Sequence, residues 1–418
     1  MGMQFTRRNF LQGTAVAVSA IALAGCGNSN DGSGASSDAD SGTVSGDTSG
    51  DAFKLGGIGP LTGGAAIYGT ACKYGAQVAV DELNAAGGAQ LELNFQDDEH
   101  NPEKSVNAYN TLKDWGMQVL IGTTTTGPCV SVSKEANADN IFEITPSASS
   151  TDVIGGQPDT DGNITEQRKG NVFQMCFTDP NQGTASAEYI KDKNLGTKIA
   201  VIYNNSDAYS KGIYIKFKAE AAKLGLDIVS ETSFTDDSAT DFKTQLNDAK
   251  DKGADLVFLP IYYQPASLIL KQAKDMGYAP KFFGVDGMDG ILGLEGFDTS
   301  LAEGVMLLTP FVATADDEKT KKFVEEYKKV SGSDENPNQF AADAYDCVCV
   351  VKQALENAEC TPDMSASDIC DKLVAAITAP DFKYSGLTGE DMTWTDSGEV
   401  TKTPKGMIIQ SGQYQPLD

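Results

Sequence analysis

The chain has one histidine, two tryptophans and far fewer basic than acidic residues, and each shortage removes a class of function. With His100 standing alone, neither a two-histidine zinc site nor a Ser-His-Asp triad built on another histidine can be assembled. Lys and Arg number 32 against 59 Asp and Glu, a net charge of −27 that argues against nucleic acid and against a basic membrane-docking face. The eight cysteines contain no CxxC spacing, which excludes zinc-ribbon and thioredoxin-like designs. Beyond the amino terminus no apolar run approaches the roughly 20 residues of a spanning helix. Neither a cofactor nor a resident metal is expected.

What is present begins with a targeting segment. TRRNFLQ at 6–12 supplies positive charge, GTAVAVSAIALA at 13–24 a mild apolar run too short to span, and LAGC ends at Cys26. The segment resembles a bacterial lipoprotein signal, residues 1–26, whose cleavage would leave Cys26 as the lipid-modified first residue. Arg7 and Arg8 followed by Phe10 and Leu11 also resemble a twin-arginine signal; the general and twin-arginine routes both stay open. Residues 27–52 are Gly, Ser, Asp and Thr with almost nothing to bury, and read as a flexible tether.

The body from Phe53 onward is long enough for two domains. Its first block reads strand, helix, strand, helix, strand, helix, strand, with FKLGGIGP leading into a helix that carries Cys72, Ala76, Ala79, Val80 and Leu83 on one face and stops at Gly87 and Gly88. A polar loop at 151–170 follows, and a second block from KIAVIYNN repeats the alternation. The expected fold is α/β: two doubly wound, Rossmann-like parallel-sheet lobes joined by a multi-strand hinge. Helices from Asp316, Pro337 and Ser365 have no strands between them and should pack back on an existing lobe; residues 392–414 read as a closing hairpin. Lobe 1 is then 53–177 plus 311–386, and lobe 2 is 178–310 plus 387–418.

Ligands of such sheets bind beyond the carboxyl ends of the strands. The turns there carry Tyr68, Thr123 to Thr126, Ser147 and Ser149 in the first block, and Tyr209, Tyr262, Tyr263 and Asp286 in the second. GTTTTGPC at 122–129 sets its hydroxyls at a strand-to-helix turn, where backbone N–H groups and the helix dipole favour an anion. Hydroxyls on one lobe, tyrosines and one carboxylate on the other, and no Lys or Arg in any of these turns suit a zwitterion rather than a phosphate-rich ligand.

GPLTGGAAIYG, IGTTTTGPC, ITPSASS, SDAYSKG, IYYQP and FFGVDG occur in the order and approximate spacing of bacterial leucine/isoleucine/valine-binding proteins, the type I periplasmic solute-binding proteins of ABC transporters, which the chain resembles over nearly all of 53–418. The resemblance implies that the Thr126 and Ser149 hydroxyls hold an amino-acid carboxylate with backbone groups of Ser147 helping, and that Thr125 and Ala148 belong to the same ligand-binding turns. It implies that Asp286 takes the ammonium, that Tyr209 and Tyr262 line the second lobe, and that Tyr68 packs on the ligand side chain. Partners would be ABC permease and ATPase subunits, with the membrane reached only through the lipid on Cys26. Asp286 is one methylene shorter than the glutamate expected, and TTTT replaces a serine-rich turn, which leaves the ligand open among branched-chain, aromatic and small polar amino acids, amides and aromatic acids.

Asp97, Asp98, Glu99 and His100 look metal-like, but they lie between a strand and a helix at Pro102 and read as a solvated turn. DTDGNITE at 159–166 lacks EF-hand spacing and reads as a surface turn. Cys347 and Cys349 point to different faces of a helix and read as core; Cys360 and Cys370 either pair or stay free. The alternative function is a lipid-tethered sensor that hands a ligand complex to a membrane receptor or kinase.

Overall fold

The structure, a computed structural model, describes residues 52–157, 164 and 166–417. The export signal, Cys26, the tether and most of the acidic turn at 159–166 lie outside the described residues. Two sheets organise the rest. The first holds β1 (Ala52–Gly59), β2 (Gln90–Asp97), β3 (Val119–Gly122), β4 (Phe142–Thr145) and β5 (Val172–Gln174), all parallel, in the order β2-β1-β3-β4-β5. In the second, β6 (Lys198–Asn204), β7 (Asp227–Phe234), β8 (Leu256–Leu259), β9 (Lys281–Gly284) and β10 (Met306–Thr309) run parallel in the order β7-β6-β8-β9-β10. A hairpin of β11 (Lys405–Gln410) and β12 (Gln413–Pro416) adds antiparallel to β10. VLIG, FEIT and LVFL, the strands β3, β4 and β8, are buried along their whole length, as short apolar runs covered on both faces must be.

Helices connect the parallel strands and cover the sheets. α1 (Ala66–Ala86), α2 (Pro102–Trp115), α3 (Thr126–Asp139) and the short α4 (Thr151–Ile154) belong to the first sheet. α5 (Asp179–Asp192) precedes β6, and α6 (Ala208–Leu224), α7 (Lys243–Asp251) and α8 (Tyr263–Asp275) follow the second sheet's strands. Local chemistry sets their starts: Asn101 accepts from Glu103 and Lys104 N–H ahead of Pro102, and Asp207 accepts from Tyr209 and Ser210 N–H. α9 (Glu318–Ser331), α10 (Gln339–Asn357) and α11 (Ala366–Ile377) return to the first lobe, with α10 along α1 and α11 on β4. Close approach of α10 depends on Gly75, where a Cβ would stand 2.0 Å from the Ala341 carbonyl.

Besides the four-residue α4, which falls in the loop expected at 151–170, two elements escaped the sequence reading. β5 is only VFQ, and α5 carries Pro180 and Gly183, so neither shows a periodicity long enough to register. The expected hairpin over 392–414 is also two structures, a bridge between Trp394 and Val400 and the separate β11–β12 pair. Trp394 Nε1 donates to the Gln174 carbonyl at 2.8 Å and Gln174 N to Gly398 O at 2.9 Å, which fastens this segment to the edge strand of the first sheet. The boundary expected at 387 therefore falls early. Pairing across 220 residues leaves no local trace.

The chain crosses between the sheets after β5, after β10 and before β11. At the last crossing Lys402 donates to Asp343 Oδ1 at 2.6 Å and to Thr388 Oγ1 at 2.7 Å, with side chains 1% and 2% exposed for the charged pair. Removing one partner strands the other's charge in the interior. We expect Lys402→Met to destabilise the fold by about 3 kcal/mol or more in urea titration, and Lys402→Met combined with Asp343→Leu to recover most of that loss; a silent single variant would contradict the assignment.

Candidate functional site

Strand order brings the predicted turns together. β1 and β3 are neighbours, so Tyr68 at the start of α1 stands beside Thr123 to Thr126; β6 and β8 are neighbours, so Tyr209 stands beside Tyr262, with Asp286 just past β9. In each sheet this is the point where the strand order reverses direction.

The second lobe presents an aromatic wall. Tyr209 and Tyr262 stack with centroids 4.7 Å apart and planes 2° from parallel, and Tyr68 of the first lobe lies 5.4 Å from Tyr262. Tyr209 donates to Asp286 Oδ1 at 2.5 Å and accepts from Gly287 N at 2.9 Å. Tyr68 donates to the Gly287 carbonyl at 2.6 Å and accepts from Tyr263 N at 3.2 Å, so one phenol ties the lobes. Gly287 has to be glycine for this: a Cβ would come within 2.5 Å of the Tyr209 oxygen.

On the first lobe the four threonines divide their tasks. Thr124 donates both N–H and hydroxyl to the Ile58 carbonyl, and Ser147 donates to Thr124 O at 2.5 Å, which fixes the turn. Thr125 is the α3 cap residue and its hydroxyl meets His100 Nδ1 at 2.9 Å. Thr126 opens α3 and is buried, with its hydroxyl turned toward Tyr262. Thr123 and Ser149 keep buried hydroxyls that have no hydrogen-bond partner among the described residues. Ala148 differs from expectation: its N–H goes to Thr145 Oγ1 and its carbonyl to Gln174, so both backbone groups are committed inside the lobe.

Tyr68, Thr125, Ser147, Tyr209, Tyr262 and Asp286 line one cavity between the lobes with Thr124 of the same threonine turn, joined by Gly287 and Phe340, which sequence reasoning did not single out. Thr126, Ala148 and Ser149 are not part of this lining. The space left is about 10 Å³, room for about one water. A small molecule therefore reaches these groups only when the lobes part.

The electrostatics of the cleft are acidic. Burial pushes the Asp286 carboxyl up to about 7, with the Tyr209 hydroxyl holding it back in part. Asp179, at the start of α5 and 1% exposed, was missed by the sequence reading together with its helix; both its oxygens lack a hydrogen-bond partner among the described residues. Burial raises its pKa well above the carboxylate range, the nearby Ser149 hydroxyl opposes this, and the charge of Asp286 adds to it. No Lys or Arg lines the cavity.

The QDDEHNP turn is not the solvated turn expected. Asp98 is fully buried, and His100, at φ +58°, is half-buried with its ring edge on Tyr262 at 5.7 Å. Asp97 braces the neighbouring loop through Leu61 N and the Thr62 hydroxyl. No group of side chains among the described residues is arranged to hold a metal ion. The seven described cysteines are free thiols, Cys360 and Cys370 included.

Two parallel-sheet lobes with a cleft at their strand ends define the type I periplasmic-binding-protein architecture. A sequence profile of the periplasmic binding protein family matches residues 52–404. The chain is 30% identical over 315 residues to Leu/Ile/Val-binding protein homolog 3 of Brucella melitensis biotype 1, covering 75% of this chain and 81% of that one. Among solved structures, the branched-chain amino acid transporter substrate binding protein LivJ from Streptococcus pneumoniae, in complex with isoleucine, superposes with a TM-score of 0.75 at 26% identity over 87% of this chain and 98% of its own. An ABC-transporter solute binding protein from R. palustris in complex with benzoate shares the fold, with a TM-score of 0.73 at 19% identity over 88% and 95%. The chain belongs to the type I periplasmic binding proteins, in the leucine/isoleucine/valine-binding protein family. That family binds solutes outside the cytoplasm, and no helix among the described residues is long and apolar enough to cross a membrane.

The raised carboxyls predict a pH dependence. Burial lifts Asp98 and Asp286 to about 7, Glu143 to about 8, and Asp207 and Asp343 to about 6. Each holds a proton in the folded state that it has lost in the unfolded one, so stability declines as pH rises from about 4 through 8. His100, kept neutral by burial, opposes this with a single group. Without ligand, Tm by calorimetry should be higher at pH 5 than at pH 8, and Asp286→Asn should narrow the gap; a Tm that rises with pH would contradict the reading.

Proposed function

We propose that this protein captures a zwitterionic amino acid, branched-chain side chains first, between its lobes and delivers it to the permease of an ABC importer, tethered through lipid on Cys26 to the outer face of the cytoplasmic membrane. The observation that carries the reading is the charge pattern of the cleft: buried Asp286 and Asp179 facing hydroxyl turns and a helix N-terminus, with no fixed cation. The ammonium goes to Asp286, with Asp179 near enough to share it. The carboxylate goes to Thr126, Ser149 and the N–H groups opening α3, where the helix dipole adds to the hydrogen bonds. Burial of both charges is tolerable because each is hydrogen-bonded. Tyr209 and Tyr262 form the far wall, and Tyr68 packs on the side chain.

Ligand settles on the first lobe and the hinge then closes the second over it. The closed form is the one the permease engages, and hydrolysis of ATP by its partner subunits drives uptake. The chain does no chemistry on its cargo: His100 is occupied by Thr125, and the phenols lining the cavity are held neutral by burial. The relatives named for Leu/Ile/Val binding support the amino-acid assignment. The benzoate-bound neighbour shows that this fold also accepts a ligand with no ammonium.

Calorimetry with leucine, isoleucine and valine tests the reading. We expect binding, abolished by Asp286→Ala with the fold intact, and weakened by about 1 to 3 kcal/mol in Thr126→Val for the loss of a buried hydrogen bond to a charge. Unchanged affinity in either variant would remove that residue from its role.

A further inference from the structure

A larger cavity is lined by α1 residues that flank Tyr68 in the chain, Ile67 and Thr70 among them. Its volume is about 450 Å³, within the size range of small-molecule sites. Both lobes build it. From the first come Ile67, Thr70 and Tyr74 on α1, Tyr327 at the end of α9 and the 331–338 loop; from the second come 289–293 and the tip of the β11–β12 hairpin with Tyr414. None of the residues lining the cleft between the tyrosines recurs here.

Its chemistry is specific. Asp289, 2% exposed, lines the cavity. Its Oδ2 accepts from Gln339 N at 3.0 Å and Gln339 Nε2 at 3.3 Å, which fixes the carboxylate plane. Its Oδ1 has no hydrogen-bond partner among the described residues, although the Tyr414 hydroxyl stands beside the carboxyl. Glu335 adds a second negative charge from the first lobe, close to Gly293 of the second. The lining contains no Lys, Arg or His. Tyr74, Tyr327 and Tyr414 supply aromatic rings, and Ile67, Leu292 and Val312 an apolar floor. A buried carboxylate with one oxygen faced only by the rotatable Tyr414 hydroxyl, a second acid and aromatic faces together select an organic cation, through a charge-assisted hydrogen bond at one end and ring and apolar contact along its body.

We propose that this hinge-side cavity is a second binding site, for a small organic amine whose ammonium is held by Asp289 and whose apolar body lies against the edge-to-face pair Tyr74 and Tyr327. An occupant bridges the lobes. It also excludes anionic ligands such as aromatic acids, which the two carboxylates repel.

The probes are phenethylammonium and n-butylammonium, with phenethyl alcohol and 1-butanol as neutral counterparts, titrated into the full-length chain by calorimetry. The amines should bind at least tenfold more tightly than the alcohols. Asp289→Asn, which keeps an acceptor oxygen for Gln339, should cost at least tenfold while the circular dichroism spectrum is unchanged. Thr70→Trp, which fills the cavity from its wall, should abolish binding even if Asp289→Asn folds poorly, and Asp286→Asn should bind the amines normally. Absence of amine binding, equal binding of amines and alcohols, or loss of binding in Asp286→Asn but not in Asp289→Asn would overturn the proposal, the last by placing the amine in the interlobe cleft.

Discussion

Buried negative charge without a resident cation is the constraint on which the cleft depends. Asp286 and Asp179 are almost fully enclosed, and isolated carboxylates in such a setting cost several kcal/mol each after relaxation. The protein meets part of that cost by protonation and, at Asp286, by the Tyr209 hydroxyl. The remainder is what a ligand ammonium can remove. A site built in this way gives a cation its largest advantage when the lobes are closed around it, because closure excludes water and strengthens the pairing. Ligand and closed form therefore favour each other, and closure is tied to the charge of the ligand.

The lobe interface is made mostly of neutral hydrogen bonds, which suits reversible closure. Tyr68 to Gly287, Tyr263 to Gly64 and Gln339 to Asp286 all join groups that water can satisfy equally once the lobes part. The charged pair Lys402–Asp343 sits instead at a crossing segment, where the chain must stay folded in both states. Division of labour follows from burial: exchangeable contacts line the cleft and a costly buried pair secures the hinge.

Much of this arrangement was legible in the sequence because parallel α/β architecture writes its functional residues at predictable places. Runs such as VLIG and LVFL mark central strands, Gly and Asn mark helix ends, and the residue after each strand faces the cleft. That reasoning found Tyr68, Thr125, Ser147, Tyr209, Tyr262 and Asp286, which the structure gathers around one cavity. It missed Asp179 because β5 has three residues and α5 carries Pro180 in its first turn and Gly183 soon after; had TDPNQG been read as one more strand-end turn, its aspartate would have joined the list. It misread His100, since a DDEH run looks solvated until Thr125 and Tyr262, 25 and 162 positions away, are known to cover it. The pairing of Trp394 with Gln174 and the hinge-side cavity depend on contacts between distant segments, and no local pattern announces them.

The most direct test of the central claim compares leucine with 4-methylpentanoate, the same molecule without its amine, by calorimetry on the same protein. If the buried carboxylates exist to meet an ammonium, leucine binds and the amine-free acid shows no measurable affinity. Equal binding of the two, or preference for the acid, would contradict the account by showing that the cleft's negative charge does not face the cargo.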